Sequence, residues 1–181
     1  MADDIFSKNY FEIFGIPVSY AVDLSQLSDT NRELQKQFHP DRYAAEGDEA
    51  TRLAMQKTSL INQAYDVLKD SIARGQYLLK MKDVDMQGDT DTSMDHGFLM
   101  EQMEFREAIA EVQSKDDPLD VLDAMAADTK QKLQQLQQQF ANDYSNNHLQ
   151  AARDTVRKMQ FLIKAQKEIS AISEQLEDEL F

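Results

Sequence analysis

The chain of 181 residues contains no cysteine and no tryptophan, and only three prolines and five glycines. Without cysteine there can be no disulfide, thiolate metal site, thiol nucleophile or cysteine-held iron–sulfur cluster. So little Pro and Gly argues against a turn-dense β sandwich or barrel. No apolar run approaches the roughly 20 residues that cross a bilayer. Met1 to Tyr10 carries Asp3 and Asp4 and lacks the basic and apolar regions of a secretory signal. Positive charge is also scarce: 19 Lys and Arg stand against 33 Asp and Glu, a net −14. That balance opposes general binding to nucleic acid or an anionic membrane. A soluble cytoplasmic protein is expected.

What is present favours helix. Leu, Gln, Ala, Glu, Lys and Met dominate long stretches, and 41% apolar residues suffice for a core. Charge divides the chain unevenly. Residues 1 to 80 hold 12 acids and 9 bases, and the remainder holds 21 acids and 10 bases. Between them, 83–97 has turn residues and little apolar periodicity, and is expected to be a linker. The expected organisation is all-α, with domains over 1–82 and 98–181.

In the first half, Tyr10, Phe11, Ile13 and Phe14 form a short cluster closed by Gly15 and Pro17. Leu24, Leu27, Asn31, Leu34 and Phe38 recur at spacings of a one-sided helix, which predicts a helix over about 23–38. Ala50, Leu53, Ala54, Leu60, Ile61, Ala64 and Leu68 predict an inward face on a helix over 48–69. The short stretch between makes the pair an antiparallel hairpin. A short helix over 72–81 follows. The second half predicts three longer helices, an antiparallel three-helix bundle. The first runs over 96–114. The second starts at Pro118 and carries Leu119, Leu122, Ala126, Thr129, Leu133, Leu136 and Phe140. The third carries Leu149, Ala152, Val156, Met159, Ile163, Gln166 and Ile169.

His39-Pro40-Asp41 falls in the loop of the first hairpin. Pro40 fixes its own φ and pushes His39 out of the helical region. On local features the tripeptide reads equally as a helix stop or as a ring and a carboxylate presented in a fixed geometry.

The run Asn9-Tyr-Phe-Glu-Ile-Phe-Gly-Ile16, then Gln37-Phe-His-Pro-Asp-Arg42, then Ile61-Asn-Gln-Ala-Tyr-Asp-Val-Leu68 resembles a J-domain. With Phe98-Leu-Met-Glu-Gln-Met-Glu-Phe-Arg-Glu107 and Asp154-Thr-Val-Arg-Lys-Met-Gln-Phe-Leu162, the whole chain resembles the HscB-type co-chaperones. No Gly/Phe-rich segment or cysteine zinc module is present, which separates it from DnaJ. The resemblance implies an N-terminal J-domain and a C-terminal scaffold-binding bundle. It implies recruitment of the DnaK-like ATPase HscA and stimulation of its ATP hydrolysis through His39, Pro40 and Asp41. The aspartate would pair with an arginine of the ATPase. The basic docking face implied for the second helix would be Arg32 and Lys36 with Arg42, thinned by Asp29, Glu33, Gln35 and Gln37. The second implied partner is the iron–sulfur scaffold IscU, and the outcome is cluster transfer.

Helix geometry adds an independent argument for the second half. At about 100° per residue, Phe98, Phe105, Ile109 and Val112 share one face. Leu99, Met100, Met103, Glu104 and Glu107 centre nearly opposite. A bundle needs one apolar face from each helix, so the second face reads as an adaptable binding patch. Its alternative use is packing against the first domain or the linker. The resemblance implies that this patch binds IscU, with Glu104, Arg106 and Glu107 at its rim. Phe161, about 200° from Met159 on the last helix, is expected to leave the core and join it.

His39, His96 and His148 are scattered, and none has a second His three or four residues on, so no metal site is expected. No Gly-rich phosphate loop and no nucleophile–base pair is visible, so neither a cofactor nor an enzyme is expected. The rival reading is a J-domain co-chaperone of DnaK whose bundle holds unfolded clients. Self-association through the second apolar face stays open.

Overall fold

In the computed structural model, described over residues 5–86 and 96–180 (side chains of 113, 179 and 180 excepted), every regular element is helical. The chain divides into two compact units, Met1–Met81 and Lys82–Phe181. Of the expected linker 83–97, residues 87–95 lie outside the described part.

The first unit begins with the short helix α1 (Tyr10–Ile13), started by a reciprocal capping box. Asn9 Oδ1 accepts the Glu12 N–H at 3.0 Å, and Glu12 Oε2 accepts the Asn9 N–H at 2.8 Å, which satisfies two orphan donors at once. Helix α2 (Leu24–Gln37) starts at Asp23, whose carboxylate accepts the N–H groups of Ser25 and Gln26. A 3-10 helix, Pro40–Glu46, carries the chain to α3 (Asp48–Lys69). Helix α4 (Ser71–Lys80) follows, capped by Asp70. The Tyr77 hydroxyl accepts the Tyr10 N–H at 3.1 Å, and the two rings stack with centroids 4.4 Å apart, tying α1 to α4.

Phe11, Leu27, Ile61, Ala64, Leu68, Leu78 and Leu79 are almost wholly buried and form the core of this unit. Arg74 is buried beside it, donating to the Leu68 carbonyl and lying 4.9 Å over the Tyr20 ring. Burial lowers the Arg74 guanidinium from its ordinary value, partly offset by Tyr20 and Asp70.

Two residues of the expected inward faces point outward. Leu24 is 53% exposed and Leu53 is 43% exposed. Leu24 is the first residue of α2, where the stripe runs out. Leu53 sits about 100° around the helix from the buried Ala54, at the margin of the packed face.

The second unit is built on the hairpin of α6 (Pro118–Ser145) and α7 (Leu149–Leu180). All seven positions of each predicted stripe are buried or half-buried. The tight connection uses Asn147 at φ 60°, a left-handed position that Asn tolerates better than most residues. The Asn146 side chain caps the Asn142 carbonyl at 2.9 Å. Helix α5 (His96–Glu111) is shorter than the predicted 96–114, because the chain tightens into a 3-10 turn over Val112–Ser114. Val112, Leu122 and Ile169 make a buried cluster against which Phe105 and Ile109 pack. No described helix is long and apolar enough to cross a membrane.

Candidate functional site

The His-Pro-Asp turn is held by the end of α2. A helix leaves its last carbonyls without intrahelical donors, and here three consecutive ones are met by side chains. Arg42 Nη1 donates to the Lys36 carbonyl at 3.1 Å and the Tyr43 hydroxyl to that of Gln37 at 3.2 Å. The Thr58 hydroxyl, from α3, donates to the Phe38 carbonyl at 2.9 Å. Lys57 Nζ also stands 5.1 Å from the centroid of the Phe38 ring. Further along, Gln35 of α2 donates to Asn62 of α3 at 2.9 Å.

His39 is extended at φ −61°, ψ 128°, as a residue before proline must be. Pro40 opens the 3-10 helix, where its missing N–H costs nothing. His39 Nδ1 accepts the Asp41 N–H at 3.3 Å, and the His39 carbonyl accepts the Arg42 N–H at 3.1 Å. His39 Nδ1 also lies 3.7 Å from Asp41 Oδ2. The Asp41 side chain is 89% exposed. The turn closes at Gly47, whose φ of 101° and ψ of 173° suit glycine alone.

Arg32, Gln35, Lys36, His39 and Arg42 line one open depression of about 440 Å³ beside this turn. The structure therefore brings together four of the predicted chaperone-facing residues, with Pro40 and Asp41 next to them in the chain. Their charges are not equally available. Arg32 pairs with Asp29 at 3.2 Å, an exposed pair worth little in itself. Arg42 is occupied as a cap. Among the described residues Lys36 carries no ion pair.

The second surface lies on α5. Phe98 is buried and Phe105 and Ile109 are half-buried on its inner side. Leu99, Met100 and Met103 are 39%, 51% and 61% exposed, and Glu104, Arg106 and Glu107 are exposed around them. Phe161 lies between the core and the surface. It does leave the line of Met159, but it is half-buried and packs edge-on against Phe98 at 5.5 Å and Phe105 at 5.8 Å. Two rings on the inner face of α5 offer it favourable edge-to-face geometry, so it supports that helix while part of its ring stays accessible.

The capping set of Tyr43 and Thr58 was missed by sequence reasoning. Nothing in the local pattern marks a threonine 20 residues along the chain as the partner of the Phe38 carbonyl. Among the described residues no group of three His, Asp or Glu comes together to hold a metal.

A helical hairpin presenting His-Pro-Asp on a capped turn, followed in the chain by a separate helical unit, defines a J-domain co-chaperone. A family model described as the HscB C-terminal oligomerisation domain matches residues 94–170. The co-chaperone protein HscB homolog of Psychromonas ingrahamii is 39% identical over 170 residues, covering 94% of this chain and 99% of that one. That of Vibrio atlanticus is 41% identical over 172 residues, covering 93% and 98%. The structure of chaperone HscB from Vibrio cholerae superposes with a TM-score of 0.85 at 35% identity, covering 93% and 99%. Human co-chaperone HscB, at 24% identity, a TM-score of 0.83 and coverage of 91% and 82%, shares the fold. The chain belongs to the HscB family, J-domain co-chaperones of iron–sulfur cluster assembly.

Proposed function

We propose that this protein is a two-handed cytoplasmic adaptor that binds the scaffold IscU, delivers it to the chaperone HscA and stimulates HscA ATP hydrolysis. Residues 1–82 act as the J-domain, 83–97 as the linker and 98–181 as the scaffold-binding domain. The observation that carries the reading is Asp41: an 89% exposed carboxylate on a turn tied down at three consecutive carbonyls of α2. Such a group is presented for an external cation without prior ordering of the loop, which saves entropy on binding. Arg32, Lys36 and Arg42 give the neighbouring depression a positive edge suited to an acidic chaperone surface. Leu99, Met100 and Met103, with Glu104, Arg106 and Glu107, suit a folded scaffold with an apolar centre and a polar rim. Phe161, half-buried beneath α5, both supports that helix and joins the scaffold-binding surface. The protein acts by favouring one conformational state of the ATPase through contacts made differently in the two states. It performs no catalysis itself and holds no cluster.

The test is HscA ATPase turnover with this protein, with and without IscU. Stimulation that rises synergistically with IscU is expected, and Asp41→Asn should abolish it while leaving fold and IscU binding intact. Stimulation without synergy would retain the J-domain and remove the scaffold assignment. Stimulation of DnaK with suppressed aggregation of unrelated denatured proteins would favour the general co-chaperone reading. Normal stimulation by Asp41→Asn would overturn the mechanism.

A further inference from the structure

The chain has no cysteine, so methionine is its only sulfur chemistry, and its methionines differ sharply in access. Met159 is fully buried in the second unit and Met125 is half-buried. Met100 and Met103 are 51% and 61% exposed, three residues apart on the outer face of α5, with Leu99 beside them. The opposite side of the helix is anchored by Phe98, Phe105 and Ile109, which keeps both thioethers turned to solvent. In the first unit, Met55 is 58% exposed and Met81 is 37% exposed.

We propose that Met100 and Met103 are a reversible oxidation site that switches off scaffold binding when peroxide rises. The inference rests on the reading of this face as the IscU surface. In the step, the thioether sulfur attacks one oxygen of hydrogen peroxide. An S–O bond forms as the O–O bond breaks, sulfur loses two electrons, and the departing hydroxide takes the remaining proton and leaves as water. Reversal needs a methionine sulfoxide reductase and two thiol equivalents, which become a disulfide and water. Oxidation places a polar, chiral S=O where an adaptable apolar side chain had been. On docking, that oxygen would lose water without gaining a donor from an apolar partner, so affinity falls. Neither sulfur belongs to the packed side of α5, so the bundle stays folded. The switch acts on the hand that holds the scaffold and leaves the His39-Pro40-Asp41 turn untouched.

The experiment exposes the full protein to limiting hydrogen peroxide, maps sulfoxides by mass spectrometry and titrates IscU calorimetrically before and after. Met100, Met103 and Met55 should oxidise ahead of Met125 and Met159, and IscU affinity should fall roughly ten- to a hundredfold. Reductase treatment should restore it. Bound IscU should shield Met100 and Met103 but not Met55. In Met100→Leu/Met103→Leu, whatever its starting affinity, the ratio before and after peroxide should stay near one. Complete oxidation at both residues with unchanged affinity overturns the switch. An equal loss in the leucine variant places the effect elsewhere and also overturns it. Failure of the untreated protein to bind IscU overturns the reading of the surface itself, and the switch with it.

Discussion

The imidazole of His39 accepts the backbone N–H of Asp41 through Nδ1 at 3.3 Å. The histidine thus caps the turn that carries the aspartate. A side-chain acceptor in the same place should do part of that work. Asn carries its amide oxygen where Nδ1 lies, whereas the longer Gln places its oxygen nearer the Nε2 position. His39→Asn is therefore expected to keep more ATPase stimulation than His39→Gln or His39→Ala. Loss of a cap costs about 1 kcal/mol, so several-fold separations are expected. Equal loss in all three variants would mean that Nε2 meets the partner directly and that the cap is secondary.

The Thr58 hydroxyl reaches the Phe38 carbonyl at 2.9 Å across the hairpin. Thr58→Val keeps the shape and removes the donor, leaving a helix-end carbonyl unmet. Thermal unfolding should show a loss of about 1–2 kcal/mol. Stimulation should weaken as well, although residue 58 is outside the tripeptide, because the turn is then less well fixed. A destabilised variant with full stimulation would separate the cap from the function.

How much of this was readable beforehand depends on the length scale of each interaction. The α2 and α3 hairpin and the stripes of α6 and α7 follow from apolar spacing, a local property that one strand of text displays. The outward face of α5 was also readable, because Met100 and Met103 sit nearly opposite Phe98 and Phe105 on any helical wheel. The neighbours of Phe161 were not readable, because the wheel describes its own helix only. Its rings of contact, Phe98 and Phe105, come from a helix more than 50 residues away. Leu24 was misread for a related reason, since periodicity says nothing about where a packing partner ends. Arg42 was read as a docking charge and proves also to be a helix cap, a dual use that spacing cannot distinguish.

Tyr20 supplies a pH dependence. Burial pushes its phenol above the ordinary value of 10.0, more than the Arg74 guanidinium and the Ser71 hydrogen bond draw it down. A group whose folded pKa is raised contributes stability that is complete below its unfolded pKa and fades as pH climbs through the folded one. The first unit should therefore lose stability above about pH 10. Tyr20→Phe removes this titration along with the hydrogen bond. It should be less stable than the parent at pH 8, and the gap should narrow at pH 11 in urea titrations followed by circular dichroism. A gap that widens with pH would show that the folded state favours the phenolate.

Leu99, Met103 and Phe161 make a comparison in which binding and stability part company. Leu99 and Met103 are exposed, so Leu99→Ala/Met103→Ala should change unfolding by no more than about 0.5 kcal/mol per site. Its IscU affinity should nevertheless fall by tenfold or more, at roughly 1.4 kcal/mol per decade. Phe161→Ala removes a ring held edge-on by both Phe98 and Phe105. It should destabilise the second unit by about 2–4 kcal/mol, somewhat less than a fully buried phenylalanine at its upper range. Affinity should fall with it, because α5 loses its support. Phe161→Leu, which refills part of the space, should recover stability more fully than affinity. Calorimetric titration beside thermal unfolding of the three variants decides the matter. If Phe161→Leu restores stability and leaves affinity low, the ring itself meets the scaffold; if both recover together, its part is support alone.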